Sequence, residues 1–153
     1  MNLQFMMEAL KQAKLAQKKD EVPVGAVIVL NDTIIAKAHN LRHNKQNALL
    51  HAEIIVIDKA CKKLKSWRLE DCELYVTLEP CSMCAGAIIN SRIKTVYYGA
   101  YDKKAGACGS VVNLLENKQF NHNPEVFGGI MEEECGAILT DFFENKRKTK
   151  KTT

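Results

Sequence analysis

The sequence lacks the features that mark membrane, secreted and disordered proteins. Its 153 residues contain no apolar run near the roughly 20 residues of a membrane-spanning helix. Only 3 prolines and 8 glycines occur in a chain that is 46% hydrophobic, a balance atypical of low-complexity or disordered segments. Residues 1–4 do not have the basic-then-apolar layout of a secretion signal. We therefore expect one compact domain in the cytoplasm, with no membrane partner.

Most of the chain has no net charge, and the excess of basic side chains lies at its C-terminal end. Residues 1–143 carry 17 basic and 17 acidic side chains, whereas residues 144–153 carry five lysines and arginines and one glutamate, which accounts for the net charge of +4. We divide the chain into a domain over 1–145 and a basic tail over 146–153. The tail is either a solvated, solubilising end or a contact for nucleic-acid phosphates.

Six cysteines are present, but a chain of this length needs no disulfides to fold. Only Cys81 and Cys84, in Pro-Cys-Ser-Met-Cys, have the spacing of metal ligands. The default interpretation of Cys72, Cys108 and Cys135 is burial as small apolar side chains.

Hydrophobic periodicity predicts alternating helices and strands around a mixed sheet. The predicted elements are a helix over 2–19, a β-hairpin over 22–30 and 33–39, a helix over 52–65, a strand over 73–78, a helix over 82–91, a strand over 94–98, a helical turn over 112–115, a strand over 126–129 and a helix over 132–148. More than 20 residues separate the fourth and fifth strands, which is long enough for a crossover, so we predict that these two strands are parallel. The predicted fold class is α/β, with three α-β-α layers and five strands.

His51, Glu53, Cys81 and Cys84 together predict a catalytic zinc site. Cysteines three residues apart on a helix lie about 60° apart around its axis, so both thiolates can face one metal. Two thiolates and one imidazole leave a fourth position for water, and Glu53 is then a candidate base. Both His51 and Glu53 reach the metal only if His51 lies at the first turn of its helix, because residues i and i+2 otherwise diverge.

Two alternatives to this site remain open. A structural Cys₃His zinc module would need a fourth ligand, and Cys72, Cys108 and Cys135 are not excluded by spacing. Cys61 is excluded, since it lies about 15 Å along the helix from His51. Glu79 competes with Glu53 as the base, although its position next to a ligand turn favours a bracing role.

His-Ala-Glu followed by Pro-Cys-x-x-Cys resembles the signature of the zinc-dependent cytidine deaminase superfamily. Further blocks are similar to the bacterial tRNA adenosine deaminase family, and they stand at 23–27, 77–88, 106–110 and 134–143. This motif is shared by the zinc-dependent nucleobase deaminases, and the resemblance extends to the reaction that they catalyse.

The resemblance implies deamination of the wobble adenosine (position 34) of a tRNA anticodon to inosine. It implies one zinc ion per subunit on His51, Cys81 and Cys84, with Glu53 moving protons, and a homodimer that binds the anticodon stem-loop. The substrate-contacting positions it implies are Asn40, Val24, Ala52 and Asp102, and the RNA-contacting positions are Phe142, Phe143 and Arg147. On helical spacing alone, at least one of the two phenylalanines is expected to pack in the core instead.

The sequence departs from the family at residues 48–50, where Ala-Leu-Leu replaces the usual Pro-Thr-Ala. This loop precedes His51, so the departure bears on substrate choice rather than on the metal site. The rival within enzymes is a deaminase of a free base or nucleotide such as guanine or dCMP. Aromatic residues beside the basic tail favour RNA.

Overall fold

The computed structural model describes residues 1–152 and consists of a five-stranded sheet between two pairs of helices. The helices are α1 (Leu3–Lys18), α2 (Ala52–Leu64), α3 (Ser82–Ser91) and α4 (Glu132–Thr152), and the strands are β1 (Gly25–Leu30), β2 (Thr33–His39), β3 (Glu73–Leu78), β4 (Thr95–Ala100) and β5 (Glu125–Phe127). The spatial order is β2-β1-β3-β4-β5. β1 is antiparallel to β2 and β3, while β3, β4 and β5 are mutually parallel. The predicted α/β class and the parallel fourth and fifth strands are confirmed.

Alternation along the strands produces one core on each face of the sheet. Ala26 and Ile28 of β1 face a core built with α2 and α3, whereas Val27 and Val29 face a second core that includes residues of α1 and Cys135 of α4. Because successive side chains of a strand point to opposite faces, a strand buried on both sides is apolar throughout. The predicted three layers follow from this pattern.

Helix α1 lies close to the sheet where β1 begins. A Cβ on Gly25 would come within 2.0 Å of the Ala9 carbonyl oxygen and 2.5 Å of the Ala13 amide nitrogen. Only glycine fits this contact, and β1 starts here rather than at Val22 as predicted. Residues 22–24 instead form a tight turn, in which the Val24 N–H donates to the Val22 carbonyl oxygen at 2.8 Å.

Besides the start of β1, two predicted elements differ from the structure by more than two residues. The helical turn predicted over 112–115 is wrong: Cys108 forms an isolated bridge with Asn113, and Leu115 inserts fully into the core. The last helix does not end at 148, since α4 continues without a break through residue 152. The predicted boundary at 145–146 therefore falls inside one helix, and the final residue of the predicted tail, 153, lies outside the described residues.

Across residues 1–152, no helix has the length and apolarity that crossing a membrane would require.

Candidate active site and metal centre

The ends of two neighbouring helices bring the three predicted ligands together. His51 directly precedes α2 and Cys81 directly precedes α3, both in extended backbone, and Cys84 lies in the first turn of α3. The Nδ1 atom of His51 lies 3.6 Å from Sγ of Cys81 and 3.6 Å from Sγ of Cys84. Tetrahedral zinc with ordinary Zn–N and Zn–S bonds places such ligand atoms roughly 3.5 Å apart. The donor set and its spacing therefore fit one zinc ion.

The protonation of the sulfurs also favours a metal. A hydrogen bond from the Cys84 thiol, supported by the His51 ring, lowers the pKa of Cys81 to about 3. The Cys81 sulfur and burial raise the pKa of Cys84 in turn, so the pair shares a proton that a bound cation would replace. The hydrogen bond to Cys81 raises the pKa of His51.

No fourth protein ligand joins His51, Cys81 and Cys84 among the residues that the structure describes. The candidates for a fourth ligand, Cys72 and Cys108, are buried in the core on the α2–α3 face, and Cys135 lies in the core of the opposite face. A structural Cys₃His module is therefore not supported, and one coordination position is left for water.

Glu53 lies in the first turn of α2, only 4% exposed. His51 lies at the start of α2, where it is the N-cap residue in extended backbone, so it meets the condition that lets residues i and i+2 face one site. Burial raises the pKa of Glu53 to about 7. A carboxyl group that titrates near neutrality can both accept and deliver a proton under physiological conditions.

Beside the ligands lies a cavity of about 210 Å³. Its lining includes His51, Glu53, Cys81 and three of the predicted substrate positions, Val24, Asn40 and Asp102. The backbone N–H of the fourth, Ala52, donates to Oδ1 of Asn40 at 2.7 Å. This bond fixes the orientation of the Asn40 amide, so its NH₂ group is the part that is left to donate to a ligand.

The cavity adjoins a groove of about 840 Å³ that shares Arg42 and Asp102 with it. Phe143 and Arg147 of α4 line this groove. Lys103 and Lys104 line it as well, so the groove is basic and partly aromatic.

Phe142 has a different environment from its neighbour. It is 7% exposed, lies on the side of α4 that faces Gln17 and Asp20 of the α1 end, and has the Lys146 amine 5.6 Å from its ring centre. Phe143 is 44% exposed. The expectation that one of the two phenylalanines packs inside the protein agrees with this arrangement.

Sequence reasoning missed several residues of the cavity and groove. Arg42, Lys103 and Lys104 belong to irregular segments in which no periodicity marks a face. Their only signal was proximity in sequence to Asn40 and Asp102.

Three comparisons bear on the family. A family model described as MafB19-like deaminase matches residues 1–147. The tRNA-specific adenosine deaminase of Bacillus subtilis is 56% identical over 147 residues, which cover 96% of this chain and 91% of that protein. The tRNA-specific adenosine deaminase of Rickettsia typhi is 49% identical over 146 residues, which cover 94% of this chain and 99% of that protein.

This chain belongs to the tRNA-specific adenosine deaminases. Among solved structures, a study of A-to-I editing by tRNA:A34 deaminases provides one with a TM-score of 0.87 and 45% identity, covering 90% of this chain and 100% of that one. A guanine deaminase from Bacillus subtilis has a TM-score of 0.63 and 40% identity, covering 66% of each chain. A guanine deaminase from Nitrosomonas europaea, at 22% identity and a TM-score of 0.77, shares the fold.

The departure from the family at residues 48–50 lies beside the site but not in it. Leu49 is 57% exposed, and its carbonyl oxygen accepts a hydrogen bond from the His51 backbone N–H at 2.8 Å. Residues 48–50 contribute nothing to the lining of the cavity or the groove described above.

Proposed function

We propose that this chain converts adenosine to inosine at the wobble position (34) of a tRNA anticodon, consuming one water and releasing one ammonia. The observation that carries the proposal is the combination of a three-ligand site with a buried glutamate in one small cavity. A binding module would have no use for Glu53 beside an open coordination position.

Zinc, one ion per subunit, is the metal that the His-Cys-Cys donor set suits. When bound, it supplies a water of lowered pKa as the nucleophile for C6 of the adenine. His51, Cys81 and Cys84 would hold the ion, and the two thiolates would balance its charge.

Glu53 is the proton carrier. It is placed to take a proton from the attacking water and deliver it to N1 of the adenine, and then to carry the proton of the new C6 hydroxyl group to the N6 amine, which leaves as ammonia. Burial of its carboxyl group, which raises its pKa, suits both roles. Glu79 is unsuited to compete, because its carboxylate already accepts hydrogen bonds from Asp102, Cys108 and Ser110.

The cavity binds the base and the groove binds the RNA around it. Asn40, oriented by Ala52, donates to the adenine, Val24 packs against it, and Asp102 lies where the cavity meets the groove. Phe143 supplies an exposed ring for stacking of an unstacked loop base, and Arg147 supplies a phosphate contact. Phe142 is a buried neighbour that supports this end of α4 rather than an RNA contact.

The resemblance to the family further supports a cytoplasmic homodimer. Val111 and Val112 are 55% and 47% exposed, and such adjacent apolar side chains suit a contact between subunits. Sedimentation of the wild-type chain tests the dimer, and a monomer at micromolar concentration would refute it.

The experiment for the reaction is a substrate panel. The zinc-loaded protein is incubated with an anticodon stem-loop RNA bearing adenosine at the wobble position, and separately with adenosine, guanine and dCMP. We expect inosine from the RNA and no product from the three small molecules. Guanine is included as a substrate because a guanine deaminase is among the similar structures. A product from a free base alone would overturn the proposal.

A further inference from the structure

Glu79 is a buried carboxylate outside the metal triad. It follows β3 directly and precedes Pro80 and the ligand Cys81, and it is 2% exposed. A charged side chain buried this deeply requires several hydrogen-bond donors to offset the loss of hydration. The identity of those donors shows what Glu79 organises.

All of its side-chain partners come from one loop, residues 102–110. Oε1 accepts from the Asp102 N–H at 3.1 Å and from the Ser110 hydroxyl. Oε2 accepts from the N–H groups of Cys108 and Ser110 at 3.0 and 3.1 Å. Four donors thus converge on one carboxylate, and three of them belong to the backbone, whose course they fix.

The same loop forms one wall of the substrate cavity. Asp102 and Ala105 line that cavity, next to Glu79, whose carboxylate faces the loop donors. The carboxylate of Asp102 accepts hydrogen bonds from the N–H groups of Lys104 and Ala105 at 3.0 and 3.1 Å. The position of the Asp102 backbone therefore determines where Ala105 lies as well.

The loop approaches Glu79 as closely as backbone allows. A Cβ on Gly106 would lie 2.4 Å from Cδ and Oε2 of Glu79. The next residue, Ala107, donates its N–H to the Pro80 carbonyl oxygen at 2.8 Å. The loop is thus joined to the segment that carries Cys81 by both side-chain and backbone bonds.

We propose that Glu79 is a positioning residue for substrate: its carboxylate holds the 102–110 loop so that Asp102 and Ala105 form the cavity wall against which the target nucleotide binds. This inference rests on the proposed function. It assigns Glu79 to substrate binding through the loop, and it assigns retention of the metal to the backbone bond at Pro80 and to the ligands themselves.

The test compares Glu79→Gln and Ser110→Ala with Glu70→Gln, a matched change at an exposed glutamate. Glutamine keeps the size of Glu79 but turns one acceptor oxygen into a donor facing backbone N–H groups. For Glu79→Gln we expect unchanged zinc content, faster amide hydrogen exchange at Asp102, Cys108 and Ser110, and a rise of about tenfold in KM for the stem-loop RNA with kcat within about threefold.

Ser110→Ala removes one donor and leaves the others, so it should shift exchange and KM in the same direction by about two- to fivefold. It decides the question if Glu79→Gln does not fold. Loss of zinc with an unchanged KM in the metal-loaded fraction would overturn the proposal, since Glu79 would then serve only the ligand turn. Unchanged exchange in the loop would overturn it equally.

Different measurements test the proposed function and the role of Glu79, so either can fail without the other. If the wild-type chain does not deaminate the stem-loop, the assigned reaction is wrong. The exchange rates and the zinc content still decide whether Glu79 holds the loop.

Discussion

Replacement of Glu53 by glutamine separates chemistry from folding at this site. Glu53 is 4% exposed and lies beside His51 and Cys81 in the cavity. Glutamine keeps its volume and removes a carboxyl group whose burial is costly, which is why the pKa of Glu53 is raised to about 7. The variant should therefore unfold at the same temperature as the wild-type chain or at a higher one.

The loss of rate follows from the role of the residue. A positioned acid–base group contributes about 10²- to 10⁴-fold, which corresponds to roughly 3 to 5.5 kcal/mol of transition-state stabilisation. Since Glu53 serves in more than one proton transfer, we expect the upper end of that range. The amide cannot accept the first proton at physiological pH.

The assay is single-turnover formation of inosine in the stem-loop RNA, with zinc content and thermal unfolding measured on the same samples. Glu70→Gln is the control for loss of one negative charge, because Glu70 is exposed and its ion pair is with exposed Arg68. A Glu53→Gln variant that holds zinc and forms inosine at the wild-type rate would refute the assignment of Glu53 as proton carrier.

Further predictions concern RNA binding, pH and the metal. Truncation after Asn145 should weaken RNA binding and flatten its salt dependence with zinc retained, as measured by titrations at several salt concentrations; unchanged binding would mean that the end of α4 is only solubilising. Phe143→Ala should weaken RNA binding by roughly 1 to 3 kcal/mol at little cost in stability. Phe142→Ala should instead lower the free energy of unfolding by about 3 kcal/mol. Equal effects of the two substitutions on RNA binding and on unfolding would contradict the assignment of Phe143 to RNA and Phe142 to packing. Burial raises the pKa of Glu21, but the hydrogen bonds that its carboxylate accepts from the Asn44 side chain and from the backbone N–H groups of His43 and Asn44 outweigh this effect and lower the pKa. The carboxylate therefore stabilises the fold above pH 4.5, and this stabilisation is lost as the pH falls through the folded-state pKa. In denaturant unfolding, Glu21→Gln should therefore cost about 1 to 3 kcal/mol at pH 7 and progressively less in acid; a constant difference would refute this. Removal of the metal with a chelator should abolish turnover and lower the unfolding temperature, and full activity in metal-free protein would exclude the assigned site.

The fold and the metal ligands were predictable because their signals are local. Cys81 and Cys84 are separated by one helical turn, and the paired thiolates at a helix start follow from that spacing. The parallel pairing of β4 and β5 follows from the length of the connection between them. Such features depend on nearby residue types and on chain geometry, both of which can be read from the sequence.

The features that were wrong or missed depend on how separate segments of the chain pack together, which residue types along one segment do not show. The segment over 112–115 has the composition of a helical turn, but the bridge from Cys108 and the insertion of Leu115 into the core hold it in another conformation. Glu79 accepts hydrogen bonds from donors that lie 23 to 31 residues later in the chain, and no local sequence pattern predicts these contacts. Which of Phe142 and Phe143 faces the groove depends on how α4 packs against α1.

The position of the modified base is the most direct test of the central claim that this cavity acts on the wobble nucleotide. Two stem-loop RNAs that differ only in whether adenosine occupies position 34 or the adjacent loop position are incubated with the zinc-loaded chain, and inosine is located by sequencing of the RNA. We expect inosine in the RNA with adenosine at position 34 and none in the other. Equal conversion of both RNAs, or conversion of neither alongside a free base that is deaminated, would contradict it.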